Sequence, residues 1–246
     1  MICIDLNCDM GEGIGNDALL MPFISSANIA CGYHAGDEDT MKKTAELAFL
    51  HQVAIGAHPG FADKNFFGRR ELPLSNVEVY DLISQQILLL KKITDSFQSS
   101  LHHIKPHGAL YNMAARDASL AHTISKAAKD ADENLILYGL SGSYLISEAK
   151  AIGLKTASEA FADRTYQDDG SLTPRLQPDA LIEVEEKCVE QVLQIVRKQT
   201  VTSINGKVIP IEAQTICIHG DGKYALEFAK GIHQSFKENY IDIKAM

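Results

Sequence analysis

The decapeptide N-I-A-C-G-Y-H-A-G-D, residues 28 to 37, decides the fold that we predict for this chain. Its first residues are mostly apolar, and its later ones include glycines, a histidine and an acid. This change predicts a buried strand that ends where polar groups converge. Gly32 and Gly36 allow sharp turns that a side chain would hinder, and Asp37 can cap a following helix. We therefore expect His34 to face a cavity at the C-terminal end of the strand, although a core or loop histidine with satisfied hydrogen bonds fits the same pattern.

Length and composition favour one domain that spans residues 1 to 246. A chain of 246 residues with 46% hydrophobic residues can bury a full core. It is also close to the roughly 250 residues typical of a (β/α) barrel. The net charge of -9 comes from 32 acidic and 23 basic residues without a basic run, so nucleic acid is not an expected partner.

The cysteines and the apolar segments bear on the cellular compartment. The five cysteines form no C-x-x-C motif, which favours reduced, mostly buried thiols over a disulfide framework. The first residues lack the basic and long apolar regions of a signal peptide, and no segment has the roughly 20 apolar residues that span a bilayer. We expect a soluble cytoplasmic protein without a membrane partner.

Strand and helix patterns alternate along the whole chain, and no flexible linker divides it. The seven strands are expected at residues 2–6, 29–31, 53–57, 102–104, 135–139, 155–160 and 215–218. Helices are expected at residues 38–51, 75–97, 118–129, 144–151 and 179–198, and a last helix ends near residue 236. Asn205-Gly206 predicts a two-residue hairpin turn within residues 201–212, and residues 167–177 predict a loop long enough to cover a site.

Six of the seven predicted strands end in polar residues. In chain order these residues are Asp9, His34, His58, Lys105 with His107, Glu159 with Arg164, and His219 with Asp221. In a parallel barrel all of these ends lie on one face, which is where such folds place their sites. Each residue alone has an ordinary structural explanation, such as a helix cap for Asp221. Their coincidence predicts a shared site.

The residue types at these ends suit several kinds of chemistry, which spacing alone does not separate. Carboxylates beside histidines suit general acid–base activation of water. Lys105, Arg164 and Arg69 could hold a carboxylate or phosphate, or stabilise an oxyanion. Asp9 with two of the histidines could instead bind a divalent metal. The loop G-E-G-I-G, residues 11–15, matches neither G-x-G-x-x-G nor a Walker A sequence, so the signal for a nucleotide is weak.

Seven motifs resemble, in order, those of the LamB/YcsF family, the A subunits of prokaryotic 5-oxoprolinase. They are L-N-C-D-M-G-E at 6–12, N-I-A-C-G-Y-H-A-G-D at 28–37, G-A-H-P-G-F at 56–61, F-G-R-R at 67–70, K-P-H-G-A-L-Y-N at 105–112, E-A-F-A-D-R at 159–164 and I-H-G-D at 218–221. The resemblance covers nearly the entire chain. It implies an irregular seven-stranded (β/α) barrel of the glycoside hydrolase/deacetylase type, and the strand count read from the residues agrees with it.

The resemblance further implies a reaction and its partners. The reaction is the ATP-dependent opening of the lactam of 5-oxo-L-proline to L-glutamate, carried out together with separate B and C subunits. ATP, with Mg²⁺, would be a co-substrate that activates an unreactive amide by phosphorylating its oxygen, and no firmly bound protein metal is expected. Because the chain has no P-loop, the resemblance leaves open whether ATP binds to this subunit or to a partner.

We expect this subunit to supply the lactam pocket and the groups that activate water. The candidate general bases are Asp9, Glu159 and Asp221, and the candidate proton donors to the ring nitrogen are His107 and His219. The candidate cations for the substrate carboxylate or the phosphoryl oxygens are Lys105 and Arg164. The other residues expected to line the substrate pocket are Asn7, Glu12, Asn28, His34, His58 and Arg69. These roles come from residue chemistry, and the resemblance supports only the positions.

Two hypotheses from other functional classes compete with this one. The first is a stand-alone metal-dependent deacetylase or hydrolase of a carbohydrate or amide, with Asp9, His34 and His58 near the metal. Stoichiometric bound metal would favour it. The second is a non-catalytic binding or regulatory protein on a barrel scaffold. Alanine substitutions of Asp9 and His107 that leave turnover of the complex intact would favour that one.

Overall fold

Parallel strands closed into a ring form the centre of the fold. The computed structural model describes residues 2–246. Its strands are β1 (Ile2–Met10), β2 (Ser26–Ala30), β3 (Ala54–His58), β4 (His103–Ile104), β5 (Ile136–Leu140), β6 (Lys155–Phe161), β7 (Thr200–Thr202), β8 (Val208–Pro210), β9 (Thr215–His219) and β10 (Ile241–Ile243). Strands β1 to β6 pair in chain order, and β9 pairs with both β6 and β1, which closes the ring. The predicted seven-stranded barrel is confirmed.

Helices follow most of the barrel strands and cover the ring from outside. They are α1 (Asp17–Leu20), α2 (Glu38–Leu50), α3 (Asn76–Ser96), α4 (Gly108–Arg116), α5 (Ala118–Ala131), α6 (Tyr144–Ala151), α7 (Glu185–Lys198) and α8 (Ala225–Glu238). Short 3₁₀ turns lie at Met21–Phe23 and Lys64–Phe66. The strand β10 pairs in parallel with the first residues of β1. None of the helices within residues 2–246 is both long and apolar enough to cross a membrane.

Two helix starts follow directly from local sequence. The side chain of Asp37 accepts a hydrogen bond from the Thr40 amide at 2.8 Å and so caps α2, as predicted. The capping box predicted for α3 is present, because Ser75 accepts from the Glu78 amide and Glu78 accepts from the Ser75 amide. Each cap supplies partners for amides that have none inside the helix.

Alternation along β1 separates the apolar core from the polar interior of the barrel. Residues at odd positions of β1 point inward, as their hydrogen bonds across the ring show, so the intervening positions face the helices. Leu6 and Cys8 are completely buried in that outer layer. The same outer core contains Ile29, Ile55, Ile104, Leu137 and Ile216 of the strands and Ile83, Ile87 and Leu90 of α3. Burial of each such aliphatic side chain stabilises the fold by about 1.5–3 kcal/mol.

The lower part of the barrel interior holds a buried carboxylate that has no distinctive sequence motif. Asp5 accepts hydrogen bonds from the hydroxyls of Ser25, Ser26 and Thr215 at 2.6–2.7 Å. Thr215 in turn accepts a bond from the side-chain nitrogen of Asn7 at 2.6 Å. A polar layer satisfied in this way supports the site residues above it, because each donor is used by a fixed partner.

The predicted helix at residues 179–198 is wrong in its first part. Helix α7 begins only at Glu185, and the preceding residues are extended. The amide of Ile182 bonds to the Asp163 carbonyl at 3.0 Å, and Leu181 forms an antiparallel bridge with Arg164. Pairing with the segment after β6 therefore overrides the local helical pattern. Asp179 has a left-handed backbone, with φ of 61°, which also interrupts a helix.

Two further local differences concern turns and short helices. Helix α4 was not predicted from the sequence, and it starts directly after the fourth strand end. The hairpin of β7 and β8 is confirmed, but its loop is longer than the expected two residues. The Ser203 amide bonds to the Lys207 carbonyl at 2.8 Å, which leaves residues 204–206 as a three-residue loop. Gly206 supplies the positive φ of 80° that such a loop needs.

Candidate active site at the mouth of the barrel

Lys105 lies at the centre of the barrel mouth, held between two carboxylates. Its Nζ is 2.9 Å from Asp9 Oδ1 and 3.0 Å from Glu159 Oε1, and the side chain is 2% exposed. The Cys217 sulfur is 3.0 Å from the same nitrogen. Burial alone would lower the pKa of Lys105, but the negative partners outweigh it and hold the pKa well above its usual range. Lys105 is therefore a permanent cation whose charge is already compensated within the protein.

Amide and hydroxyl groups fix the two carboxylates in place. Asn28 donates to Asp9 Oδ1 at 2.8 Å and to the Asn7 side-chain oxygen at 2.7 Å. Asn7 donates to Glu159 Oε1 at 2.9 Å, and Tyr111 donates to Glu159 Oε2 at 2.7 Å. Both oxygens of Glu159 are thus occupied by protein groups. The expected pocket residues Asn7 and Asn28 lie in the buried layer that orients the carboxylates.

Asp9 links the lysine to a group of imidazoles. Its Oδ2 is 3.4 Å from His58 Nε2, while its Oδ1 binds Lys105. Burial would raise the pKa of Asp9, but the nearby His58 and Lys105 reverse this and hold the pKa well below its usual range. Asp9 is therefore ionised, and it contacts both the Lys105 ammonium group and the imidazole of His58.

Beside Lys105 and its two carboxylates lies a second set of polar residues, which we call the histidine cluster. It comprises Glu12, His34, His58 and His107. The loops after β1 and β2, the last residue of β3 and the loop after β4 supply them. His34 and His107 stack with their ring centroids 3.8 Å apart, and Glu12 Oε1 lies 3.8 Å from a nitrogen of each. Burial lowers the pKa of both His34 and His107 well below the usual value and raises that of Glu12.

Glycines make room for the stacked rings. A Cβ on Gly60 would lie 2.7 Å from His34 Nδ1, and a Cβ on Gly68 would lie 2.8 Å from the His34 Cβ and 3.0 Å from His107 Cδ2. Gly68 also has a positive φ of 61°, which other residues rarely adopt. The motifs that contain these glycines therefore set the shape of the histidine cluster.

His219 forms a pair with Asp163, which was not among the predicted site residues. The imidazole Nδ1 lies 2.9 Å from Asp163 Oδ1, and the His219 amide donates to the other carboxylate oxygen at 3.1 Å. Burial would raise the pKa of Asp163, but the contacts with His219 lower it below the usual value. The ring stacks on Phe161 with centroids 5.4 Å apart. Within residues 2–246, no group forms a hydrogen bond with His219 Nε2, so this nitrogen is free to contact a ligand.

Asp221 lies between two arginines at the rim. Arg69 binds one of its oxygens, and Arg175 of the loop after β6 lies 3.6 Å from the other. The side chains of Arg69 and Arg175 remain 35% and 27% exposed. Asp221 therefore joins the loop after β3 to the loop after β6 and holds two cations near the solvent.

A cleft opens beside these groups. It has a volume of about 200 Å³ and includes Asp163, Arg175, His219 and Asp221 in its lining. The cleft is thus flanked by an imidazole with a free nitrogen and by an arginine. A small anionic ligand with a polar reacting group fits this combination of donors.

Arg164 occupies a different place from the one expected of an anion-binding cation. It is 5% exposed, and its guanidinium donates to the backbone carbonyls of Thr173 at 2.6 Å and Ala180 at 3.3 Å. Both carbonyls belong to the long loop after β6. The side chain therefore fastens this loop over the barrel mouth.

The structure brings most of the predicted site residues to one mouth and adds several others. Brought together are Asp9, Glu12, His34, His58, Arg69, Lys105, His107, Glu159, His219 and Asp221, with Asn7 and Asn28 beneath them. The additional residues are His103, Tyr111, Asp163, Arg175 and Cys217. Asp163 could have been found, since it follows a strand end in E-A-F-A-D-R. The contact of Tyr111 with Glu159 was not predicted, because Tyr111 lies in α4 and this helix was not predicted.

His103 illustrates a site residue without a sequence signal. Its Nε2 is 2.8 Å from the Asn28 side-chain oxygen, and its ring stacks on Tyr138 with centroids 4.2 Å apart. A Cβ on Gly56 would overlap the His103 ring, so glycine is needed in the neighbouring strand. Only the pairing of β3 with β4 shows this relationship.

The fold defines the chain as a (β/α)-barrel protein whose mouth collects buried carboxylates, imidazoles and a lysine. The pattern of the LamB/YcsF family matches residues 4–246, and the chain belongs to this family.

The chain is similar to two full-length relatives and, in fold, to one more distant structure. The A subunit of 5-oxoprolinase from Tolumonas auensis is 51% identical, and the alignment covers 100% of both chains. The crystal structure of the lactam utilization protein from Thermus thermophilus superposes with a TM-score of 0.93, at 38% identity and 100% coverage of both chains. The catalytic domain of a peptidoglycan N-acetylglucosamine deacetylase from Eubacterium rectale has a TM-score of 0.52 at 12% identity, covering 99% of this chain and 88% of that one. The last likeness concerns the fold alone and agrees with the predicted barrel type.

Proposed function

We propose that this chain is the A subunit of an ATP-dependent 5-oxoprolinase, which opens the lactam of 5-oxo-L-proline to L-glutamate together with B and C subunits. The observation that carries the proposal is the full-length identity of 51% with a relative named as the A subunit of 5-oxoprolinase. The mouth of the barrel supports it, because it offers cations for a carboxylate and an acid–base pair for ring opening.

The rim arginines provide the site for the substrate carboxylate. Arg175 is a partly exposed cation in the lining of the cleft, and Asp221, which also lines it, holds the partly exposed Arg69 close by. A substrate carboxylate binds to guanidinium groups through paired charge-assisted hydrogen bonds. Lys105 is less suited to this role than expected, because Asp9 and Glu159 already neutralise it.

His219 is the group that moves protons at the lactam. Its Nδ1 is held by Asp163, so its Nε2 carries the lone pair that accepts a proton from water. Water adds to the ring carbon, the bond between that carbon and nitrogen breaks, and the imidazolium returns the proton to the nitrogen. One residue thereby serves as base and then as acid, and Asp163 stabilises the imidazolium between the two steps.

ATP, with Mg²⁺, is the co-substrate that makes the ring carbon electrophilic. Transfer of the terminal phosphoryl group to the lactam oxygen converts an unreactive amide into an activated one, and a second water releases phosphate. The ionised Asp9, the Lys105 cation and Glu159 lie at the mouth and supply a fixed electrostatic environment for these charge changes.

Glutamate release tests the proposal directly. The chain is incubated with 5-oxo-L-proline, ATP and Mg²⁺, alone and with the B and C subunits of the same complex. We expect glutamate only when all three subunits and ATP are present. The variant His219→Gln should abolish most of the turnover, whereas His122→Gln, at an exposed histidine of α5, should retain it. Absence of glutamate from every combination would reject the proposed function.

A further inference from the structure

The histidine cluster contains two nitrogens that face each other without an evident proton. His58 Nδ1 lies 2.7 Å from the Lys105 carbonyl, and His107 Nε2 lies 2.9 Å from the Phe67 carbonyl. A carbonyl oxygen only accepts hydrogen bonds, so both of these outer nitrogens must carry the proton. In neutral imidazoles the inner nitrogens, His58 Nε2 and His107 Nδ1, are then both lone pairs, and they are 2.9 Å apart. Such a pair needs either a proton or a metal ion between the two nitrogens.

His34 supplies an independent observation. It is 1% exposed, and neither of its ring nitrogens has a hydrogen-bond partner within residues 2–246. A buried imidazole without any partner is costly, because it loses its bonds to water and gains none in return. Its Nε2 faces Glu12 Oε1 at 3.8 Å, on the same side as the inner nitrogens. The ring therefore presents an unused donor atom to the centre of the cluster.

We propose that Glu12, His34, His58 and His107 bind one divalent cation of the zinc class through the Glu12 carboxylate and one nitrogen of each histidine. One possible ligand atom from each residue lies within 4.8 Å of all the others. Three neutral imidazoles and one carboxylate suit Zn²⁺ or Co²⁺ far better than Mg²⁺ or Ca²⁺, which prefer oxygen. From the sequence we expected no firmly bound metal, and this proposal replaces that expectation.

Two distances within the cluster lie on either side of the value for a tetrahedral site. Zinc bonds of 2.0–2.1 Å require ligand atoms about 3.3 Å apart. The inner nitrogens of His58 and His107 are 2.9 Å apart, and Glu12 Oε1 is 3.8 Å from His107 Nδ1. Small side-chain shifts in opposite directions therefore complete this part of the site. The outer hydrogen bonds to carbonyls fix the tautomers of both histidines in the form that a metal needs.

Completion of the site by His34 requires a rotation of its ring. One ion cannot lie in the planes of two stacked imidazoles, and the rings of His34 and His107 are only 5° from parallel. No hydrogen bond holds the His34 ring in its present orientation. Metal binding therefore turns this ring out of the stack and gives its nitrogen a partner.

Charge at the mouth favours a divalent ion. The buried ionisable groups around the cluster are three carboxylates, Asp9, Glu12 and Glu159, and one ammonium, Lys105. With all of them ionised, the group carries two negative charges. A cation of charge two neutralises them.

Four protein ligands fill a tetrahedral coordination sphere, which is the pattern of structural zinc sites. The ligands come from the ends of four consecutive strands, β1 to β4, so one ion would fasten these loops together. The ion then supports the mouth without itself occupying the cleft that contains His219.

Metal content and spectroscopy test this proposal without reference to activity. The full chain is purified without chelators, its metals are measured by mass spectrometry, and the chain stripped by chelator is titrated with Zn²⁺ or Co²⁺. We expect one ion per chain, a higher Tm with Zn²⁺, and the intense visible absorption of tetrahedral cobalt. The variants His34→Ala and Glu12→Gln should each weaken binding by at least about tenfold.

Matched variants separate this site from a neighbouring group. Asp9, Cys217 and His219 also offer ligand atoms close together, so Cys217→Ser should leave the metal affinity unchanged. The exposed His122→Ala is the control for the loss of a histidine. If the wild-type chain neither retains nor binds either metal, the inner nitrogens share a proton and the proposal is wrong. The proposal would also be wrong if the Cys217→Ser variant lost the metal while the His34→Ala variant kept it. Neither result depends on whether the chain releases glutamate.

Discussion

Asp163 lies 2.9 Å from Nδ1 of His219, and this contact decides which imidazole nitrogen faces the cleft. The carboxylate stays ionised because its pKa is held below the usual value. An ionised carboxylate accepts and cannot donate, so Nδ1 carries the proton and Nε2 is the basic atom. A residue two positions beyond the end of β6 thus controls the chemistry of one at the end of β9.

Asp163→Asn should lower kcat of the assembled enzyme by about 10²-fold, with a smaller change in KM. The asparagine amide can donate to Nδ1 and stabilise the other tautomer, which leaves Nε2 without its lone pair. Steady-state kinetics over a range of pH, with Asp242→Asn on the exposed side of β10 as the control, measure this effect. Equal losses in both variants would show that Asp163 has no part in proton transfer.

Arg175→Met should raise KM for 5-oxo-L-proline by about tenfold to a hundredfold and change kcat less. A charge-assisted hydrogen bond contributes about 1.5–3 kcal/mol, and the loss affects bound substrate and transition state alike. The same kinetics on Arg197→Met, in the last turn of α7, provide the control. An unchanged KM would mean that the substrate carboxylate binds elsewhere.

Lys105→Met should reduce the free energy of unfolding by about 3–5 kcal/mol, because it leaves two buried carboxylates, Asp9 and Glu159, uncompensated. Lys126→Met removes an exposed lysine that pairs with Asp130, and it should leave the stability nearly unchanged because water screens that pair. Urea unfolding followed by circular dichroism compares the two. Similar small losses would contradict a compensating role for Lys105.

Stability of the metal-free chain should fall as the pH is lowered from 7 to 5. Burial lowers the pKa of His34, His103 and His107 well below the usual value of about 6.5, so the unfolded chain binds these protons first. A lowered histidine pKa contributes stability that is present above about pH 6.5 and lost as the pH falls. The raised pKa of Glu12 acts in the opposite sense, since its protonated form is favoured in the fold. The unfolded chain therefore binds up to about two protons more than the folded chain. The free energy of unfolding then changes by up to about 2.7 kcal/mol per pH unit.

Chemical denaturation at several pH values, with chelator present, measures this slope. His107→Gln should reduce the slope by about one proton, and His122→Gln, at an exposed position, should leave it unchanged. A free energy of unfolding that stays constant between pH 7 and pH 5 would contradict the buried neutral histidines.

Local signals in the sequence account for the elements that were predicted correctly. The caps at Asp37 and Ser75 depend on residues three positions apart, so they can be read directly. The strand count followed from apolar runs, and the polar ends of these runs located the site face. Helix α7 was misplaced because residues 179–184 pair with the segment after β6, and a pairing between distant segments leaves no local periodicity.

The sequence by itself determined the barrel, the direction of its strands and the set of acids, imidazoles and cations at one mouth, because strand patterns are local and parallel strands collect their ends. Only the tertiary structure decided the partners. Lys105 binds Asp9, 96 positions away, and Arg164 turns to loop carbonyls. His219 forms its hydrogen bond with Asp163, 56 positions away. Hydrogen bonds act over about 3 Å, and that distance between remote residues is set by strand register and loop packing, which no local pattern encodes.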